Sequence, residues 1–197
     1  RNVIKALEIP EYFGTTLRDA IWRTINGAFH GLNGRKAIIV LTDGKDAGSR
    51  IRQDDLLYRL QETDTLIYTV MFKTGERPPA FLPRSSDRDI WMGRFPRPRF
   101  PDRRQRQRQE RAKVQNAVAE EFLNELSDVT AGRHYSSENG KLKKTFEMIV
   151  EELRYQYRLG FYPPEANDKM ALHTLKVKVA RPEAVVRARG SYRIQAR

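Results

Sequence analysis

The sequence predicts an α/β fold built on a parallel β-sheet, because helix and strand patterns alternate along most of the chain. Apolar residues recur at helical spacing from Leu17 onward. Two short, largely β-branched apolar runs predict buried strands over 37–42 and 66–72. A helical pattern over 52–63 lies between them. We therefore expect these strands to be neighbours in one sheet with helices on both faces.

The alternation resumes after a long irregular segment. Residues 73–111 show no periodicity and hold most of the prolines, which is typical of a functional or disordered insertion. A short strand near His134 and a helix over 141–154 follow. Before them, a helix is predicted over 111–130, where the apolar residues Val114, Val118, Phe122 and Leu126 step by four.

The last part of the chain predicts a β appendage over 156–197 on an α/β domain spanning 1–155. Three segments have strand character, over 156–162, 172–180 and 185–194. We expect an antiparallel patch in which Leu175, Val177 and Val179 face inward while Lys176 and Lys178 face the solvent.

Two polar positions flank the predicted strand 37–42. Asp43 follows that strand directly, and Thr15 with Thr16 begins the preceding helix. Carboxyl ends of parallel strands and helix N-termini meet at one edge of an open sheet, where hydroxyl and carboxylate oxygens suit Mg²⁺ or Mn²⁺. Two alternatives stay open: Thr16 with Asp19 also fits a helix-capping pattern, and Asp43–Gly44 is also a common turn pair.

These residues resemble a known family. The pattern Gly-Thr-x-Leu-x-x-Ala-Ile at 14–21, followed by Leu-Thr-Asp-Gly at 41–44, is similar to the von Willebrand factor A (VWA) domain. Segment 152–163 resembles the VWFA-related domain of exported bacterial proteins, Acidobacterial type, and so does 185–192. The resemblance covers most of the chain except 73–111.

The resemblance implies a doubly wound, Rossmann-like sheet and a metal-ion-dependent adhesion site. In that site Thr15 and Asp43 would hold Mg²⁺ or Mn²⁺, and an acidic side chain of a protein partner would complete the coordination. It also implies export to the periplasm, cell surface or exterior. The implied function is non-catalytic adhesion-type protein binding.

One departure from the family concerns its first metal motif, Asp-x-Ser-x-Ser, which does not occur in this sequence. We interpret the chain as the downstream part of a longer polypeptide. In the VWA topology the strand bearing that motif lies beside the Asp43 strand. An exposed apolar strand edge promotes association, so we expect an upstream segment or another chain to cover the edge of 37–42.

Composition excludes several classes of protein. The 197 residues include no cysteine, which rules out disulfides, thiolate zinc sites and thiol nucleophiles. The sequence has no apolar run long enough for a membrane span. The net charge of +12 is concentrated in two segments, with +6 over 97–113 and +7 over 169–197. This concentration favours added binding surfaces on a nearly neutral core.

The basic run after residue 94 has two interpretations. It is either a solvated loop or a docking strip for a partner. The second interpretation rests on arginine, whose guanidinium group binds carboxylates and phosphates through paired hydrogen bonds, and on phenylalanine, which adds stacking area. We favour an acidic protein or anionic surface over nucleic acid as its partner. The candidate contact residues are Arg97, Arg99, Phe100, Arg103, Arg104, Arg106 and Arg108.

Catalysis finds no support in recognisable motifs: there is no Gly-x-Ser-x-Gly and no phosphate-binding loop. Three hypotheses follow. The first is a non-catalytic binding module that uses a divalent cation. The second is a structural subunit with a vestigial metal site and a basic docking loop. The third, favoured by charge alone, is a nucleic-acid-binding protein.

Overall fold

A three-stranded parallel sheet forms the centre of the computed structural model, which describes residues 15–72, 103–137, 142–162, 171–181 and 183–193. The strands are β1 (Lys36–Thr42), β2 (Thr65–Phe72) and β3 (His134–Ser137), in the order β1-β2-β3. The predicted α/β class and the pairing of strands 37–42 and 66–72 are confirmed.

Within the described residues, four helices flank this sheet. They are α1 (Leu17–Arg23), which continues into a π-helical turn at Thr24–Ala28, α2 (Gln53–Gln61), α3 (Arg103–Val129) and α4 (Leu142–Arg154). The structure thus places a helix between each pair of consecutive strands of the sheet.

The two faces of the sheet carry separate cores. On one face Ile67 and Met71 of β2 pack against α1, α2 and α3; on the other, Val70 packs against Ile149 of α4. Both faces of β2 are therefore covered, which explains why its residues are buried continuously and not at every second position. Buried side chains of the larger core are Leu17, Ile21, Ile25, Val40, Leu56, Leu57, Leu60, Ile67, Met71, Ala119, Phe122, Leu123 and Leu126.

β1 is less well covered than β2. Its only strand partner within the described residues is β2, so the other edge of β1 has no ladder there. Ile39 and Leu41, which alternate with the buried Val40, are 38% and 48% exposed. The edge that the sequence predicted to need a cover thus has no strand partner in the described part of the chain, and one face of β1 is also exposed at Ile39 and Leu41.

α3 begins earlier than the sequence predicted, at Arg103 instead of residue 111. Its first turns are rich in arginine and glutamine, which favour helix without contributing an apolar period. Of the four apolar residues that step by four, Phe122 and Leu126 are buried, whereas Val114 and Val118 are 64% and 61% exposed. The buried stripe of α3 begins only at Ala119.

The C-terminal region forms a smaller antiparallel sheet than predicted. Strands β4 (His173–Thr174) and β5 (Ser191–Tyr192) have two residues each, and the described residues 156–162 form no strand. The inward pattern holds for Leu175 and Val177, which are half-buried, and fails for Val179, which is exposed. Lys176 and Lys178 are exposed, as predicted.

Candidate functional site at the carboxyl edge of the sheet

The predicted site residues lie where β1 ends. Asp43 follows the last residue of β1 and is half-buried, and its Oδ1 accepts a hydrogen bond of 3.2 Å from the backbone N–H of Lys45. The Lys45 Nζ lies 3.6 Å from Asp43 Oδ2. The chain turns here, and Thr42 Oγ1 accepts a hydrogen bond of 3.0 Å from the backbone N–H of Gly44.

Thr15 lies against the same loop through its backbone. Its carbonyl oxygen accepts a hydrogen bond of 2.9 Å from the N–H of Ala47, four residues after Asp43, while its side chain is exposed. The start of α1 and the loop after β1 are therefore brought together. The convergence of the Thr15 and Asp43 side-chain oxygens on one cation stays a prediction.

Asp46 makes the contact between this loop and α1. One carboxylate oxygen of Asp46 accepts both the backbone N–H and the Nε–H of Arg18, at 3.1 Å and 2.9 Å. The other oxygen accepts the N–H of Ser49 at 3.3 Å. Asp46 thus caps the N-terminus of α1 from a distant loop. No local pattern in the sequence indicates this contact, because the two residues lie 28 positions apart.

Asp19 makes the reciprocal contact from helix to loop. Its Oδ1 accepts the backbone N–H groups of Ile51 and Arg50, at 2.9 Å and 3.0 Å. The hydrogen bond from Ile51, followed by that from Arg50, lowers the pKa of Asp19, although desolvation opposes the shift. The capping alternative for Thr16 and Asp19 is wrong, since Thr16 makes no side-chain cap and Asp19 binds the loop instead.

The donor set at this edge does not complete a divalent-cation site by itself. Asp19, Asp43 and Asp46 each accept backbone N–H groups, and Lys45 Nζ also lies beside Asp43, so the predicted ligand Asp43 would bind a cation in addition to these contacts. No group of three histidine, aspartate or glutamate residues within the described ranges is arranged to hold a metal ion. A Mg²⁺ or Mn²⁺ ion at Asp43 would need further oxygen ligands from water or from residues outside those ranges.

α3 packs directly over the Asp43 loop. Gly44 has φ +81°, and a Cβ added to it would lie 2.7 Å from the Cβ of Ala119 and 3.4 Å from Met71 Cε. The glycine of the Asp-Gly pair is required both for its left-handed backbone and for this close approach. The interpretation of Asp43–Gly44 as a turn pair is therefore correct for Gly44. This interpretation does not assign a role to Asp43.

The predicted docking residues lie in two parts of the chain. Arg97, Arg99 and Phe100 lie outside the described residues. The remaining four (Arg103, Arg104, Arg106 and Arg108) fall in the first two turns of α3, on a helix and not on the predicted loop.

Arginines of the basic C-terminal segment contact the opposite, amino-terminal edge of the sheet. Arg189 donates to the carbonyl oxygens of Thr63 and of Thr65, the latter at 3.0 Å, and Arg187 donates to the Gly132 carbonyl. Arg193 donates to Gln61 Oε1 at 2.7 Å. Desolvation lowers the pKa of Arg189, while the nearby Asp64 carboxylate opposes that change. These three arginines hold the segment on the α/β core, which the charge count alone did not predict.

A cavity of about 400 Å³ lies at this amino edge of the sheet. Its cations are engaged in ion pairs: Lys36 and Arg158 contact Asp64 at 2.8 Å and 3.3 Å, and Arg59 contacts Glu62 at 2.8 Å. Internal pairing therefore accounts for most of the charge that lines this cavity.

Comparisons with known proteins identify no relative of this chain. A scan against models of protein families, a search of curated proteins and a search of solved structures each gave no match. Among the helices within the described ranges, none is long and apolar enough to cross a membrane.

Proposed function

We propose that this chain is a non-catalytic protein-binding module of the VWA type, which engages its partner at the carboxyl edge of β1. The supporting observation is the interlocked edge itself. Asp46 and Asp19 hold the α1 start and the β1–α2 loop together through backbone hydrogen bonds, next to Thr15 and Asp43. In α/β folds, ligands bind beside the loops at the carboxyl ends of the strands, and such a site needs loops that are held in place next to the binding side chains.

In this proposal Asp43 and Thr15 supply two oxygen ligands to Mg²⁺ or Mn²⁺, and an acidic side chain of the partner supplies another. The doubly wound VWA topology and an exported location belong to the same proposal. The further ligands would come from water and from the partner. Metal dependence is a separable part of the proposal, because Lys45 beside Asp43 gives the edge a cation even without a metal.

The experiment is site-specific photocrosslinking in extracts of the source cells. A benzophenone amino acid at Lys45, beside Asp43, should capture a specific protein, whereas the same group at the exposed Lys178 should not. We expect D43A to abolish that capture and D54A, an exposed aspartate on α2, to leave it unchanged. Capture that is insensitive to D43A would contradict the proposal. Loss of capture in EDTA would assign the role to the cation.

A second candidate function is a structural subunit of a larger assembly. The open edge of β1 within the described residues, with Ile39 and Leu41 exposed beside it, favours this alternative. Another chain would add a strand there. Light scattering and denaturation of residues 1–197 test it: concentration-dependent association supports it, and a cooperatively unfolding monomer contradicts it.

A further inference from the structure

The course of α3 along the sheet fixes where its first part lies. Near the C-terminal end of the helix, Thr130 Oγ1 accepts the N–H of Ile67 at 3.0 Å. Further up β2, Thr69 Oγ1 donates to the Leu123 carbonyl at 3.2 Å. α3 therefore runs antiparallel to β2 and reaches the loop at the carboxyl edge, where Ala119 meets Gly44.

The helix is much longer than the strand that it covers. Its 27 residues span about 40 Å at 1.5 Å per residue, whereas the eight residues of β2 span about 26 Å. Since Ala119 lies level with the strand end, positions 103–118 continue past the sheet for roughly 24 Å. Between 107 and 118, all side chains that the structure describes are exposed except Asn116, which is half-buried.

This overhang (residues 103–118) has a distinct chemistry. It carries six basic residues and only Glu110 as an acid, so its net charge is +5. One stripe of it, at positions i, i+4, i+7 and i+11, contains Gln107, Arg111, Val114 and Val118, all exposed. A helix that presents two apolar anchors beside a cation has the pattern of helices that bind in a groove of a partner.

The charge argues against a second copy of this chain as the occupant, because two overhangs would each bring +5 to the contact. It argues for a partner with carboxylates. The exposed Val114 and Val118 favour a protein over a nucleic acid, since a phosphate backbone offers no apolar groove to two valines on a helix.

We propose that the overhang of α3 is a metal-independent docking element for an acidic protein surface, an apolar groove rimmed by carboxylates. The inference rests on the proposed function, which it deepens by naming the chemistry of the partner. Arg111 and Lys113 attract the carboxylates, and Val114 with Val118 fill the groove. The adjacent carboxyl edge then meets a partner that is already held in place.

The experiment uses fluorescence anisotropy with the full 197-residue chain and three labelled probes. The first is an acidic amphipathic peptide of glutamate, alanine and leucine with leucines at helical spacing. The second is poly-L-glutamate, which has the charge without the apolar anchors. The third is duplex DNA. We expect the amphipathic peptide to bind most tightly and equally well with Mg²⁺ or EDTA.

Two double variants separate the contributions of charge and apolar contact. R111E/K113E should weaken binding of both acidic probes by roughly tenfold or more, since each reversed rim charge contributes about 1 kcal/mol. V114S/V118S should weaken the amphipathic peptide and leave poly-L-glutamate unchanged. Circular dichroism checks that both variants keep their helix content; valine and serine have similar helix propensity.

K176E/K178E is the matched control, because it makes the same change in net charge at two exposed lysines of the C-terminal segment. An equal loss of binding in this control would overturn the proposal, since net charge would then explain the result. Tighter binding of duplex DNA than of the amphipathic peptide would also overturn it. If D43A abolishes crosslinking at Lys45 while R111E/K113E binds the acidic probes normally, the overhang proposal fails and the proposed function stands.

Discussion

The two parts of α3 belong to one continuous helix but lie in opposite environments. From Ala119 to Val129 the helix buries Phe122, Leu123 and Leu126 against the sheet, whereas the described side chains between 107 and 118 are exposed to solvent apart from the half-buried Asn116. Following the buried stripe backward from Ala119 by helical spacing leads to Gln115 and Arg111. The core therefore ends where the apolar stripe ends, although the helix continues.

This contrast distinguishes the residues that favour helix formation from the residues that anchor the helix to the sheet. A helix of the overhang's length is marginal alone in water, even with favourable residues. It persists as an extension of a segment that tertiary packing has already nucleated. Substitutions in the anchored part should therefore change the free energy of unfolding, and substitutions in the overhang should change binding.

The largest expected effect is that of Leu123→Ala, which tests the anchored part directly. The side chain is fully buried, so its truncation should lower the free energy of unfolding by about 2–5 kcal/mol. Val114→Ala on the overhang should change it by no more than about 0.5 kcal/mol. Urea denaturation measures both; a cost for V114A that approaches that of L123A would show that the overhang is packed.

A smaller effect is expected from Thr69→Val, which removes the polar contact between the anchored part and the sheet. Thr69 Oγ1 lies 2.9 Å from Ser127 Oγ and 2.8 Å from His134 Nδ1, so the change removes both contacts from buried groups. We expect a loss of about 1–3 kcal/mol by the same measurement. The exposed Thr174→Val is the control and should be nearly neutral.

The junction between the two parts is tested by Gly44→Ala. A left-handed φ costs an L-residue about 1–2 kcal/mol, and the added Cβ would also press on Ala119. Gly48→Ala isolates the first contribution, because Gly48 has φ +101° and nothing within 4 Å of the added atom. If G44A costs no more than G48A, α3 does not press on the Asp43 loop.

Much of the fold could be predicted because its signals are local. The buried strands 37–42 and 66–72 were each located to within one residue, since a short apolar run between turns carries its own boundaries. The start of α3 was missed because Arg103 and its neighbours favour helix without an apolar period. Val114 and Val118 fitted that period, but the sequence does not say where the sheet beneath the helix ends.

The candidate site was predicted less completely than the fold, because its construction depends on long-range contacts. Asp43 and Thr15 could be chosen from their positions at element ends. The contacts of Asp46 with Arg18, and of Arg189 with the carbonyls near Thr65, join residues far apart in sequence. No local sequence pattern distinguishes these hydrogen-bonded side chains, Asp46 and Arg189, from charged side chains that face the solvent. Charge counting alone therefore did not show that Arg187, Arg189 and Arg193 contact the α/β core.

The smallest expected effect is a pH dependence at His134, the first residue of β3, which faces the anchored part of α3. Desolvation lowers the pKa of His134, although Glu120 and Asp128 of α3 partly oppose the shift. An imidazole with a pKa below 6.5 in the folded state favours folding when it is neutral. Stability should therefore be constant above about pH 6.5 and decrease as the pH falls below it, because the unfolded chain then binds the proton more readily.

Urea midpoints at pH 8 and pH 5 measure this dependence. Asp64 does not add to the change in stability between pH 8 and pH 5. Burial would raise its pKa, but the hydrogen bond and the charge of Lys36 lower it below 3.8, so the stability that Asp64 contributes is lost only at more acidic pH. His134→Asn should flatten the difference between the two midpoints. His30→Asn, at an exposed histidine, should leave it unchanged. A midpoint that does not fall at pH 5, or falls equally in H134N, would show that burial does not hold His134 neutral in the folded state.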